Sequence, residues 1–388
     1  MKKICFFTII FAIMISFVSF SNFTNTFAFD EVNDIFSEKI DYSSGAKSAI
    51  LIEAKTGRIL YSKNSSQELP MASTTKIVTA ITVIENCDDL DKKITISPNA
   101  VGVSGTSIYL QPNEALTIRE LLYGLMLRSG NDASVALACA VAGDEKSFCE
   151  MMNETAKKIG AKNSHFVNPH GLDEKGHYTT AYDLALITAY ALENDDFAEI
   201  VKTKSKTICK DEDNARHLLN KNKLLASLDG CIGVKTGFTD DAGRCLVSAC
   251  ERDDLRLVAV VFNCGPMFEE SSQMFELAYK KFKFVEILPA YHYVKSANVE
   301  NGESDYVGLY SRKGFAFPLS KNEESNLNVV FDAPDTLKAP VKNDEEVGKV
   351  EIYYGNHLLF SEKIYTIEEV GSKLFKDKIK DVLDNWNA

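Results

Sequence analysis

The sequence is poor in the residues that hold metals and redox centres. It has six His in 388 residues, and no Cys-x-x-Cys pair among its nine Cys. That excludes the usual zinc-ribbon and dithiol-redox spacings, so no zinc site is expected. Basic residues are also short: 43 Lys and Arg stand against 55 Asp and Glu, a net charge of −12. Such a balance excludes nucleic acid as a partner and gives no general attraction to anionic surfaces. Long apolar runs are scarce too. The single one, Ile4 to Phe20, follows the basic pair Lys2-Lys3 and precedes small residues at Thr26-Phe27-Ala28. This is the layout of a secretory signal over residues 1–28. Its removal would leave 41 basic against 55 acidic residues, a charge of −14. Any anionic substrate must then be held by local cations.

Eight Cys remain beyond the leader, at irregular spacing, and Cys139, Cys245, Cys250 and Cys264 lie in apolar runs. They read as mostly buried free thiols rather than as a disulfide framework.

Along the chain, Ser48–Ala54 and Arg58–Ser62 flank the turn Lys55-Thr56-Gly57 and read as a hairpin. A helix is expected from Ser73 to about Cys87. Thr117 and Glu120 form a capping-box pattern before a nearly all-apolar helix that stops at Ser129-Gly130-Asn131. Further helices are expected from Ala133 to Val141, from Lys146 to Ile159, and from Thr180 to Leu192, where Thr180 and Asp183 suggest a second capping box. Three strands follow, beginning at Gly233, Cys245 and Leu255, as an antiparallel meander closed by a helix from Glu270 to about Lys283. Helices packed on an antiparallel sheet, with a helical insertion between its second and third strands, make an α+β domain over residues 29–287. Short strand-like pieces then recur (Tyr291–Val294, Tyr306–Tyr310, Asn328–Phe331, Val350–Tyr354), giving a small β domain over residues 288–363. Apolar residues from Ile367 to Trp386 fall near a 3.6 period, so residues 364–388 read as an amphipathic helix. It either lies on a membrane surface or packs on its own domain.

The chemistry centres on Ser73-Thr74-Thr75-Lys76. Residues three apart share a helix face, so Lys76 can meet and activate the Ser73 hydroxyl. Free N–H groups at the helix start suit developing negative charge. Alone this pattern is weak, since Ser44-Gly45-Ala46-Lys47 matches it as well. Two more motifs, Ser129-Gly130-Asn131 in a loop between helices and Lys235-Thr236-Gly237 on a strand, supply order and context. Their decoys (Lys55-Thr56-Gly57, Ser62-Lys63-Asn64 and Ser296-Ala297-Asn298) lack that context. His170, in a Pro/Gly loop, reads as structural.

The triple of motifs resembles the serine acyl-transferases that include β-lactamases and penicillin-binding proteins. With Pro70–Lys76, Leu127–Ala133, Asn168-Pro169-His170-Gly171-Leu172 and Lys235–Thr239, the chain more closely resembles the low-molecular-mass penicillin-binding proteins, serine D-alanyl-D-alanine carboxypeptidases of peptidase family S11. The resemblance runs from about residue 40 to 290 and more loosely beyond. It implies a β-lactamase/D,D-peptidase-like fold and an exported enzyme of the cell envelope that trims peptidoglycan stem peptides ending in D-Ala-D-Ala and binds β-lactams covalently. It further implies Ser73 as nucleophile, Lys76 as general base and Ser129 as proton relay, with neither a metal nor a cofactor. Asn131, Lys235 and Thr236 would bind substrate, and the backbone N–H groups of Ser73 and Phe238 would form the oxyanion hole. Three alternatives stand beside this reading: a D,D-endopeptidase of cross-links, a class A-like β-lactamase, and a non-catalytic wall-binding protein. The β-lactamase would need a deacylating glutamate, and the corresponding stretch, Ser164–Pro169, holds no acid.

Overall fold

The computed structural model describes residues 33–209, 214–374 and 379; the expected signal segment, 1–28, lies outside them. Strands β1 (Ser48–Glu53) and β2 (Ile59–Lys63) form the expected hairpin. The helical insertion then carries α1 (Lys76–Glu85), the short pair β3 (Lys93–Thr95) and β4 (Ala115–Thr117), and α2 (Ile118–Tyr123). It continues with α3 (Asn131–Ala142), α4 (Glu145–Ile159), α5 (Ala181–Ala191) and α6 (Asp195–Lys202). A second hairpin, β5 (Ser205–Ile208) with β6 (Arg216–Leu219), leads to the meander β7 (Cys231–Thr239), β8 (Gly243–Arg252) and β9 (Leu255–Phe262). Helix α7 (Met267–Lys281) follows. The main sheet is antiparallel in the order β2-β1-β9-β8-β7, so the meander closes back onto the N-terminal hairpin.

Both faces of this sheet are buried, which explains why its strands read as continuous apolar runs. On β9, Val258, Val260 and Phe262 join the core shared with the helical insertion. Leu257, Ala259 and Val261 join the core shared with α7. The period of two thus assigns alternate residues of one strand to two cores.

Thr117 and Glu120 form a reciprocal capping box at α2. At α5 only half of the expected box exists. Thr180 accepts from the Asp183 N–H, while the Asp183 carboxylate accepts from Asn163 N–H and the Ser164 hydroxyl instead.

The C-terminal part is a β unit. Strands β10 (Phe282–Leu288) and β13 (Phe315–Ser320) pair as a ribbon. The others, β11 (Tyr293–Glu300), β12 (Tyr306–Ser311), β14 (Leu327–Asp332), β15 (Thr336–Lys338), β16 (Glu346–Tyr354) and β17 (His357–Thr366), form a six-stranded sheet. The helix expected to reach Lys283 stops at Lys281 and the chain turns directly into β10. A helix beginning at Ile367 is not found. Ile367 N–H donates to Gly308 O at 2.8 Å, and Val370 forms a bridge with Val341 and is buried. Val370 therefore serves the β core in extended form, while Ile367 pairs through its backbone and keeps its side chain exposed. The remainder of the expected helix beyond residue 374, apart from Ile379, lies outside the described residues.

One buried cluster joins the β unit to the α+β unit. Arg58, in the β1–β2 turn and 0% exposed, pairs with Glu323 (2% exposed) at 2.5 Å. Its guanidinium also donates to the Pro318 carbonyl and lies over the rings of Phe36 and Phe282 at 4.5 and 4.9 Å.

Candidate active site

Ser73 sits not on an α-helix but on a 3-10 turn, Ala72–Thr75, that runs into α1. The turn is held from several sides. Ala72 adopts the left-handed conformation, with φ of 51°. Thr74 Oγ1 donates to Met71 O at 2.6 Å and Thr75 Oγ1 to Ala72 O at 2.9 Å. Having spent its proton there, the Thr75 hydroxyl accepts from His177 Nε2 at 2.9 Å, and His177 Nδ1 accepts from Val167 N–H at 3.1 Å. These two bonds fix the neutral Nε2–H tautomer. Burial, with neighbouring His170, holds the His177 imidazole down to about 3, in keeping with that tautomer.

Lys76, the first residue of α1, is fully buried. Its Nζ lies 3.0 Å from Ser73 Oγ, 2.7 Å from Asn131 Oδ1 and 2.5 Å from the backbone carbonyl of His170. Burial pushes its ammonium well below the usual lysine range, and the nearby charges of Lys235 and Lys221 push it further. The neutral amine has two hydrogens and one lone pair. Asn131 Oδ1 and His170 O accept the hydrogens, which leaves the lone pair for the Ser73 hydroxyl.

The loop bearing His170 is built for this contact. Thr79 Oγ1 donates to Pro169 O at 2.7 Å, and Asn168 Oδ1 accepts from Gly171 N–H at 2.7 Å. Gly171 has φ of +85°, and a Cβ there would lie 2.0 Å from Ala72 O. Only glycine lets this loop press on the nucleophile turn. The His170 ring has the structural surroundings expected of it, since Nδ1 accepts from Leu172 N–H at 3.3 Å. What the sequence did not reveal is that its carbonyl, not its ring, faces Lys76.

Ser129 ends a single π-helical turn, Gly124–Arg128, that continues α2. It is buried and left-handed, with φ of 66° and ψ of 35°. Asn131 opens α3 two residues later. Such π-turns recur at functional sites because they displace the residue that follows them. On the other side, β7 runs past Ser73. A Cβ on Gly237 would lie 3.0 Å from Ser73 N. Lys235 is buried and donates to Thr236 O at 2.8 Å. Burial first, and Lys221 second, hold its ammonium down to about 7. Thr236 is half-buried, and the Phe238 side chain is 63% exposed at the edge of the site. The decoy motifs have other duties: Ser44 Oγ donates to Glu270, far from Lys76, and Lys55-Thr56-Gly57 is the β1–β2 turn.

Ser73, Lys76 and Asn131 therefore meet by direct contact, and Lys235 acts on Lys76 through its charge. Lys221, a third cation acting on both lysines, carried no sequence pattern. Its N–H donates to Leu127 O at 3.3 Å, which seats it beside the π-turn. Asp132, the neighbour of Asn131, also went unassigned; its carboxylate accepts from Ile108 N–H and Leu110 N–H, each at 3.1 Å.

Comparison with known proteins gives concordant matches. The family model described as D-alanyl-D-alanine carboxypeptidase (peptidase S11) matches residues 36–265. The model of the C-terminal domain of penicillin-binding protein 5 matches residues 282–372. The chain is 32% identical to the D-alanyl-D-alanine carboxypeptidase DacF of Bacillus subtilis, over 88% of this chain and 90% of that one. It is 29% identical to DacD of Escherichia coli over 92% and 96% of the two chains. Among solved structures, penicillin binding protein 5 from Haemophilus influenzae superposes with a TM-score of 0.67 at 26% identity, covering 86% of this chain and 99% of that one.

Proposed function

We propose, for a chain that belongs to the peptidase S11 family and is a serine D-alanyl-D-alanine carboxypeptidase, a specific division of labour among its site residues. Ser73 Oγ attacks the carbonyl of the penultimate D-alanine, and its proton passes to the neutral Nζ of Lys76. The observation that carries this reading is the Lys76 environment: two acceptors take both hydrogens and leave the lone pair on Ser73 Oγ at 3.0 Å. The proton then passes by way of Ser129 to the departing D-alanine nitrogen, and the C–N bond breaks to leave a Ser73 ester. Water hydrolyses the ester, with Lys76 again taking the proton.

Binding follows from the surrounding charges. Lys235 and Thr236 hold the terminal carboxylate, and the depressed Lys235 ammonium gains a counter-charge when substrate arrives. Asn131 holds the substrate amide. The N–H groups of Ser73 and Phe238 face the oxyanion; each such donor is worth roughly 3 kcal/mol in the transition state. Export through residues 1–28, a catalytic domain over 29–287 and a β domain from 288 that takes in the chain as far as Val370 belong to the same proposal.

The test is mass spectrometry after incubation with diacetyl-Lys-D-Ala-D-Ala and, separately, with penicillin. Release of one D-alanine and a long-lived penicillin adduct on Ser73 are expected, both lost in Ser73→Ala. An adduct on another residue, or rapid turnover of penicillin, would overturn the assignment.

A further inference from the structure

The Lys76 arrangement depends on which way the Asn131 amide points. Reversed, it would present NH2 to the Lys76 amine and strip Lys76 of one acceptor. Its orientation is set by the segment 104–110, which crosses the amino end of α3. Asn131 N–H donates to Thr106 O at 2.7 Å and Asn131 Nδ2 to Ser104 O at 2.6 Å. Between these carbonyls, Gly105 has φ of +90°, and a Cβ there would lie 2.7 Å from Asn131 Nδ2. The amide nitrogen is thereby fixed on the segment and Oδ1 on Lys76.

The segment is irregular and is anchored by side chains. The Asp132 carboxylate accepts the N–H groups of Ile108 and Leu110 and, at 2.6 Å, the Ser107 hydroxyl. The carbonyls are taken by Arg216, from β6. Its Nε donates to Ile108 O at 2.7 Å and its Nη2 to Tyr109 O at 2.9 Å. Tyr109 itself is left-handed, with φ of 61° and a side chain 77% exposed, so side-chain burial does not hold it in place. Arg216 is aimed in turn by Glu114, which accepts from Nη1 at 2.6 Å and from Nη2 at 2.9 Å.

We infer that Arg216 is a positioning residue for catalysis. Together with Asp132 it clamps segment 104–110 from its two polar sides and so fixes the Asn131 amide that orients the Lys76 base. The role needs the planar fork of arginine, because two backbone carbonyls and a carboxylate are served at once. A lysine ammonium is a single point charge with three donors and cannot reproduce that pattern. The inference rests on the assignment of Asn131 and Lys76 given above.

The test is a double-mutant cycle on the rate of Ser73 acylation by penicillin and on kcat/KM for the dipeptide-terminated substrate, each referred to the penicillin-titrated active fraction. Arg216→Gln and Arg216→Lys are each expected to lower kcat/KM about tenfold in the parent, but less than about twofold in the Asn131→Ala background. Gly105→Ala perturbs the same amide without touching the Arg216–Glu114 pair. It should lower acylation in the parent, with most of that loss absent in Asn131→Ala, and it serves if the Arg216 variants fold poorly. Equal losses in both backgrounds would refute the positioning role while leaving the assigned chemistry intact. An Asn131→Ala protein indistinguishable from the parent would overturn the Asn131 assignment and this inference together.

Discussion

Replacing Glu323 by Gln should weaken the whole protein without touching its chemistry. The two carboxylate oxygens of Glu323 are both acceptors: Oε1 for Arg58 Nη2 at 2.5 Å, and Oε2 for Ser320 N–H at 2.8 Å. Glutamine offers one acceptor and one donor, so either orientation sets NH2 against an N–H donor. It also leaves a guanidinium that is 0% exposed without its counter-charge. Breaking a buried pair from one side costs about 3–5 kcal/mol. Part of this is offset, because Arg58 keeps the Pro318 carbonyl and the Phe36 and Phe282 rings, each ring worth about 0.5–2 kcal/mol. A net loss of about 2–4 kcal/mol is expected, or a fall in Tm on the order of 10 °C. The assay is urea unfolding followed by circular dichroism, beside kcat measured well below the transition. The double variant Arg58→Met with Glu323→Leu removes both charges and should recover most of the loss, since apolar replacement of a buried pair is often neutral. A Glu323→Gln loss under about 1 kcal/mol would refute the reasoning. So would a double variant no better than the single one.

The pH dependence of kcat/KM follows from two lysines with opposite duties. Lys76 must be neutral to accept a proton, so the rate rises as Lys76 deprotonates, well below the ordinary lysine range. Lys235 must be charged to hold a carboxylate, so the rate falls as pH rises through about 7 in the free enzyme. Lys221→Gln removes a cation acting on Lys235 and should move that falling limb to higher pH; an unmoved limb in a pH–rate titration would separate Lys221 from the site. Gly171→Ala would drive a methyl into Ala72 O, where the ideal Cβ lies at 2.0 Å. It should slow penicillin acylation at least about tenfold and lower stability by about 1–3 kcal/mol, measured by stopped-flow quenching and thermal unfolding.

The site motifs were legible because each lies in a stretch whose local sequence also marks an element. Ser73 precedes an apolar run, Asn131 stands between two, and Lys235 lies in the middle of the strand-like run that is β7. The strands were legible where both faces are buried, as in β8 and β9, since the apolar runs there, Cys245–Cys250 and Leu257–Phe262, are interrupted only by Ser248. The β10–β13 ribbon and β17 were not. Their residues are half-exposed or mixed, and their pairing is set by tertiary contacts. Ile367 and Val370 misled for a related reason: their spacing fits a helix, but Val341 and the backbone of Gly308 provide extended partners. The supporting side chains were hidden for a different reason. Arg216 and Asp132 act on backbone groups, and the partner of a backbone carbonyl leaves no trace in residue type.

Two buried lysines within mutual reach look like an error in a chain of charge −12. Their partners explain how both are kept. Lys76 is surrounded by acceptors that a neutral amine satisfies, so it can stay uncharged at little cost. Lys235 donates to Thr236 O and retains further donors, so it gains most from an incoming carboxylate. Binding of that carboxylate stabilises the Lys235 cation, so the buried ammonium supplies affinity that the ordinary solvated lysine would not. A neutral analogue lacking the terminal carboxylate should bind more weakly, because it leaves Lys235 without a counter-charge, and KM for the two peptides checks this.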